Sequence, residues 1–248
     1  MVPEFVDAGT FPVEPTRHRQ YIETTHLKML RKHPIPTVAT CVDRFPVVGF
    51  IPPVNRVGFR LATAVTVAER AGVTPNTVTA VSVFVAFSAS ALLYVATPAS
   101  QIAAVFLVIT NGVLDVLDGE LARRTGTASA RGDLLDHVGD RYADAAVVGG
   151  IAGGTGEWLL GTAAVSGVLL VAEAGTAAQA EGIGRIYRGF LTRADISALV
   201  VVGGITTASG VRPAGVEAFI VVLFLLTVGG HLTALQRAVA IRRLAGNS

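Results

Sequence analysis

Asp115-Val-Leu-Asp118-Gly119-Glu-Leu-Ala122-Arg123 and, eight residues further on, Gly132-Asp-Leu-Leu-Asp136-His-Val-Gly-Asp140 decide the reading of this chain. The first two aspartates are three residues apart and the last two are four apart. On a helix, either spacing puts a pair on one face, with Cβ atoms about 5–6 Å apart. The short link between Gly119 and Asp136 predicts two helices that return as antiparallel neighbours and present four carboxylates to one another. Ionised groups at the edge of a hydrocarbon region are expensive and mark functional sites. Four together need a strong countercharge. Carboxylate oxygens suit Mg²⁺, which favours one or two carboxylates plus substrate phosphates. Two such ions can clamp a pyrophosphate and stabilise its leaving oxygen. Gly119 and Ala122 leave one helix side bare for a ligand, Arg123 adds a planar phosphate-binding fork, and Gly132 is expected to break the chain before the next helix. The competing reading makes these acids solvated helix ends paired with Arg123, Arg124, Arg131 and Arg141, and leaves the whole pattern to coincidence.

The surroundings are those of a membrane protein. The chain is 51% hydrophobic and 15% charged, where soluble domains carry about 25% charge. Apolar runs lie at Thr77–Thr97, Gln101–Leu114, Ala143–Gly156, Trp158–Ala172, Ile196–Ser209 and Val216–His231. Counting their polar ends, they approach the roughly 20 residues a span needs, so the expected fold is an all-α integral membrane protein with six transmembrane helices. Of the 20 Lys and Arg residues, only Arg212 falls in the three outer loops that six spans would leave. The positive-inside rule then puts both termini and the acidic end on the cytoplasmic side.

Before the first span, Asn55–Arg70 carries Val57, Leu61, Ala64, Val65 and Ala68 on one face, opposite Arg56, Arg60, Thr63 and Arg70. This pattern predicts an amphipathic helix in the interface plane. Residues 1–53 lack a sustained period and are read as a cytoplasmic arm, which leaves 54–248 as the six-helix domain. Thr74-Pro75 supplies an N-cap and a proline at the first helical position. The glycines at 149, 150, 153, 154 and 156 are read as close helix packing and a turn. The lone Cys41 excludes an internal disulfide and a cysteine zinc site. The five histidines have no metal-ligand spacing. No nucleic-acid partner is expected.

Asp-x₂-Asp-Gly-x₂-Ala-Arg-x₈-Gly-x₃-Asp-x₃-Asp, as it stands in residues 115–140, resembles the signature of the CDP-alcohol phosphotransferases. The resemblance runs from about Asn55 to the C-terminus. Gly-Glu-Leu-Ala-Arg and Asp140-Arg-Tyr-Ala-Asp144 look closest to archaeal-type members. It implies that Asp115, Asp118, Asp136 and Asp140 share two Mg²⁺ ions, with Mn²⁺ as the alternative, and that Asp140 takes the acceptor hydroxyl's proton. It further implies a CDP-linked lipid held by Asn76, Thr79, Gly119, Arg123 and Ser129, transfer to a small alcohol with release of CMP, and homodimerisation.

The acceptor rests on charge. Arg185, Arg188 and Arg193 cluster in one inner loop, with Arg141 next to the last motif aspartate. A positive pocket there suits inositol phosphate or glycerol phosphate, while inner-loop charge alone is the bland alternative and serine the unphosphorylated one. Two other function classes compete. A membrane prenyltransferase would use Asn111 and Asp115 in an Asn-Asp-x₂-Asp pattern, but the two are four residues apart. A divalent-cation transporter would want polar groups across the membrane depth, and here the acids gather near one face.

Overall fold

The chain builds helices wherever a cap precedes an apolar run. The computed structural model describes residues 58–184 and 189–245. In order these form α1 (Gly58–Arg70), α2 (Pro75–Val95), α3 (Pro98–Thr125), α4 (Ala130–Thr155), α5 (Trp158–Ala180), α6 (Arg193–Ala208), a 3₁₀ turn (Pro213–Gly215) and α7 (Ala218–Ala245). The arm assigned to 1–53, together with Arg56, Arg185 and Arg188, lies outside the described residues.

Thr74 caps α2 by accepting from the Thr77 N–H at 3.3 Å, with Pro75 in the first turn as expected. Thr97 and Ser100 form a reciprocal capping box at the start of α3, and Thr192 and Asp195 form another at α6. Ser129 caps α4 by accepting from the Gly132 N–H at 3.2 Å. Gly132 therefore lies inside the first turn of α4 and does not break the chain. The hydroxyl cap starts the helix upstream of it, and a glycine is tolerated where Ser129 and Asn76 crowd the space a Cβ would take.

Each of the six apolar runs falls on its own helix, α2 to α7. By length and apolarity α2, α3, α5 and α7 can cross a bilayer. Helix α4 has 26 residues, but the stretch from its start to Asp144 carries Arg131, Asp133, Asp136, Asp140, Arg141 and Asp144. Helix α6 has 16, about 24 Å at 1.5 Å per residue. Phe84, Phe106, Leu159, Val202 and Phe224, on five different helices, are all more than half exposed. An apolar surface this widespread belongs against lipid. The protein is a multi-pass, all-helical membrane protein.

The packing corrects one expectation. Helices α3 and α4 are not close-packed neighbours. Helix α2 packs against both, and α6 packs against α3 while α5 and α7 pair with each other. Small residues explain the choice. Gly150 and Gly154 of α4 lie against the backbone of Ser90 and Leu93 in α2, leaving no room for a Cβ. Ser90 Oγ donates to the Ala146 carbonyl of α4 at 2.6 Å. The main core gathers Leu93, Val148, Ile151, Val168, Phe219, Leu223 and Leu226 from α2, α4, α5 and α7. On α1, Val65 is fully buried with Val78 and Leu121, and Ala68 packs beside them, but Ala64 is exposed. Arg124 Nη1 donates to Thr66 Oγ1 at 3.4 Å, fastening α1 to the end of α3.

Candidate active site

Since consecutive helices alternate in direction, the end of α3, the start of α4 and the start of α6 meet at one end of the bundle. Asp115 of α3 and Asp136 and Asp140 of α4 each bring a carboxylate oxygen within 4.8 Å of the other two. The acids converge across the gap that α2 holds open between α3 and α4. Asp118, a turn beyond Asp115, is buried and accepts from Thr79 Oγ1 of α2 at 2.8 Å. It stands outside the three-carboxylate cluster and takes its place from α2.

Arg193, the first residue of α6, enters the cluster from the far side. Its Nη2 donates to Asp140 Oδ1 at 2.6 Å, and its Nη1 donates to Asp140 Oδ2 and, at 2.9 Å, to Asp115 Oδ1. Its Nε lies 3.8 Å from Asp144 Oδ1, and Asp144 also pairs with Arg141 at 3.6 Å. Asp144 lies four residues after Asp140 and so on the same face, a spacing that marks it as a further site residue. Three of the four arginines proposed as neutralising partners pair with acids outside the motif. Arg123 and Arg124 both pair with Glu120, and Arg141 pairs with Asp144.

The charges do not balance. The only guanidiniums beside Asp115, Asp136, Asp140 and Asp144 among the described residues are those of Arg141 and Arg193. Asp136 Oδ1 is buried with no hydrogen-bond partner. An orphaned buried carboxylate oxygen costs free energy, and a divalent cation would satisfy it. The donor set is all oxygen, as Mg²⁺ and Mn²⁺ prefer. These residues fit such ions.

The residues expected on the CDP side fall into two places beside this cluster. Asn76 Oδ1 and Ser129 Oγ come together over Gly132, within 3.4 Å of where a Cβ would stand. Arg123 lies over Gly119, its Nη1 3.6 Å from the corresponding point, and is held there by Glu120 Oε2 at 2.9 Å. Asn111 turns away from the acids and donates to Ser82 O at 2.9 Å and to Ser82 Oγ at 2.8 Å. Its engagement with Ser82 of α2 argues against an Asn-Asp-x₂-Asp pyrophosphate site.

Comparison with known proteins gives the family and the fold. Residues 72–241 match the CDP-alcohol phosphatidyltransferase family. The archaetidylinositol phosphate synthase of Pyrococcus horikoshii is 31% identical over 157 residues, covering 63% of this chain and 78% of that one. The phosphatidylinositol phosphate synthase of Cutibacterium acnes is 34% identical over 139 residues, covering 52% of this chain and 67% of that one. The fold resembles that of Mycobacterium tuberculosis phosphatidylinositol phosphate synthase in complex with manganese and citrate, with a TM-score of 0.63, 23% identity and coverage of 73% and 88%. The same enzyme with CDP-DAG bound gives 0.62, 24%, 73% and 92%. A helical membrane bundle with its motif acids gathered at one end, matched over residues 72–241, belongs to the CDP-alcohol phosphatidyltransferase family and is a transferase of phospholipid biosynthesis.

Proposed function

We propose that this transferase moves a phosphatidyl- or archaetidyl-type group from a CDP-linked lipid to a phosphorylated alcohol and releases CMP. Inositol phosphate ranks ahead of glycerol phosphate, because the relatives are synthases of inositol phosphate lipids. The observation that carries the reading is Arg193, a guanidinium lying directly against the carboxylates that fit metal ions. A phosphate on the acceptor would find a planar donor fork within reach of the reacting end.

In this reading Asp115, Asp118, Asp136 and Asp140 would hold two Mg²⁺ or Mn²⁺ ions, whose charge would offset that of the diphosphate and of the leaving oxygen. Asn76, Gly119, Arg123 and Ser129 hold the CDP part, and Thr79 serves it through Asp118. Arg193 and Arg141, with Arg185 and Arg188, orient the acceptor phosphate. The acceptor oxygen bonds to the phosphorus that bears the lipid, the bond from that phosphorus to the bridging oxygen breaks, and CMP leaves with that oxygen. Asp140 takes the hydroxyl proton, a contribution of about 10²–10⁴-fold. Around this site we place six spans, α1 in the interface plane, both termini and the acids on the cytoplasmic side, 54–248 as the catalytic domain behind a 1–53 arm, and a homodimer.

The test is purified protein in lipid nanodiscs with CDP-lipid, Mg²⁺ and a panel of inositol phosphate, glycerol phosphate, inositol and serine, scored for CMP and lipid product. Phosphorylated alcohols should give the highest turnover. Preference for serine overturns the acceptor, and release of pyrophosphate in place of CMP overturns the reaction. Metal flux into empty liposomes without turnover would make the acids a transport path.

A further inference from the structure

Thr233 lies in the middle of α7 with no exposed surface. A threonine buried among apolar helices ordinarily returns its hydroxyl to its own backbone. Thr233 instead accepts from two backbone N–H groups of the segment that leads into α6, those of Phe190 and Leu191, both at 3.1 Å. The neighbouring residues complete the attachment. Gly189 has φ 131 and lies so close to Thr233 that a Cβ would collide with its side chain. Leu191 packs against Gly229, one turn before Thr233, 2.7 Å from where a Cβ there would stand. The next N–H, that of Thr192, donates to Asp195 Oδ2 at 2.8 Å in the capping box that starts α6. The backbone donors from 190 to 192 are thus all fixed by side chains, and the next residue is Arg193.

We infer that Thr233 is a positioning residue for Arg193: by holding the Phe190 and Leu191 N–H groups on α7 it fixes where α6 begins and so where the guanidinium stands. The inference rests on the reading of Arg193 as the acceptor contact. The mechanism gives Thr233 no contact with substrate, and its hydroxyl acts only through the segment it holds. Without it, the buried Leu191 N–H and the part-buried Phe190 N–H lose their acceptor, and the segment must open to satisfy them.

The test is steady-state kinetics of Thr233→Val, Thr233→Ser, Gly189→Ala, Arg193→Ala and the Arg193→Ala/Thr233→Val pair, using the alcohol that gives the highest turnover. Amide exchange of the peptide covering Phe190 and Leu191 is measured alongside. Thr233→Val should raise the acceptor KM about tenfold, a shift of the size expected when buried donors are left unpaired, with the CDP-lipid KM unchanged and exchange at 190–191 accelerated. Thr233→Ser should restore the wild-type value and Gly189→Ala should follow Thr233→Val. The double variant should be no worse than Arg193→Ala alone, since both act through one guanidinium. If Arg193→Ala raises the acceptor KM while Thr233→Val does not, only this inference falls. If Arg193→Ala leaves the acceptor KM unchanged, the acceptor reading falls and takes this inference with it. An equal loss of both KM values and of yield in Thr233→Val, without rescue by serine, makes Thr233 a packing residue and overturns the proposal.

Discussion

Arg193 grips Asp140 with both arms of its guanidinium: Nη2 donates to Oδ1 at 2.6 Å, Nη1 donates to Oδ2, and the same Nη1 also donates to Asp115 Oδ1 at 2.9 Å. One side chain from α6 thereby connects the two acid-bearing helices. A lysine cannot reproduce this, because its ammonium is a single point without the planar fork. Arg193→Ala should raise the acceptor KM by about 10–100-fold, the value of one or more charge-assisted hydrogen bonds, with a smaller change for the CDP-lipid. Arg193→Lys should recover little of it. Acceptor kinetics at saturating CDP-lipid decide the matter, and unchanged KM in both variants removes Arg193 from the acceptor side.

Asp115 and Asp136 face one another across the gap between α3 and α4. Asp115→Asn and Asp136→Asn each keep the side-chain shape and remove one negative charge. Turnover should fall on the order of 10²–10³-fold, the scale for losing one preorganised electrostatic group, while the yield in membranes stays near normal. Near-wild-type turnover of both at saturating Mg²⁺ would show that the ions sit elsewhere.

Asp140 is assigned two roles, ligand and base, and substitution separates them. If proton transfer dominates, Asp140→Asn should bind CDP-lipid in the presence of Mg²⁺ and lose about 10²–10⁴-fold in CMP release. Binding and turnover are to be measured on one preparation. Their loss in equal proportion makes Asp140 chiefly a ligand.

Asp118 depends on Thr79 for its hydrogen bond across to α2. Thr79→Val leaves the volume intact and removes the donor, so the buried carboxylate loses its partner at a cost of about 1–3 kcal/mol. The expected result is a lower thermal midpoint and a higher Mg²⁺ requirement, with Thr79→Ser close to wild type. A valine variant with unchanged Mg²⁺ dependence would limit Thr79 to helix packing.

Local chemistry was legible in the sequence and its partners were not. The Thr74-Pro75 start of α2, the motif acids on shared helix faces and the glycines of α4 as packing surfaces all follow from rules that act within one or two turns. Periodicity states which face a residue occupies, but not which helix meets that face. The α3–α4 pairing failed for this reason: a short link favours neighbours, yet the bare surface at Gly150 and Gly154 draws α2 between them. The cap that Ser129 gives α4 and the bond from Thr79 to Asp118 are further partners that no spacing announces. Arg193 was expected on the catalytic face, but its fork on Asp140 joins positions 53 residues apart, beyond the reach of any local rule.

The close backbone contacts of α4, at Gly150 and Gly154 against α2 and at Ala152 against Gly161 of α5, occupy the half of that helix remote from Asp136 and Asp140. One helix therefore divides its labour along its length, with cohesion at one end and reactivity at the other. The reactive half carries the charges, with Gly139 packed against Val83 of α2 beside them. A substitution at Gly150 or Gly154 therefore strikes the assembly of the bundle, whereas one at Asp136 or Asp140 strikes its charge.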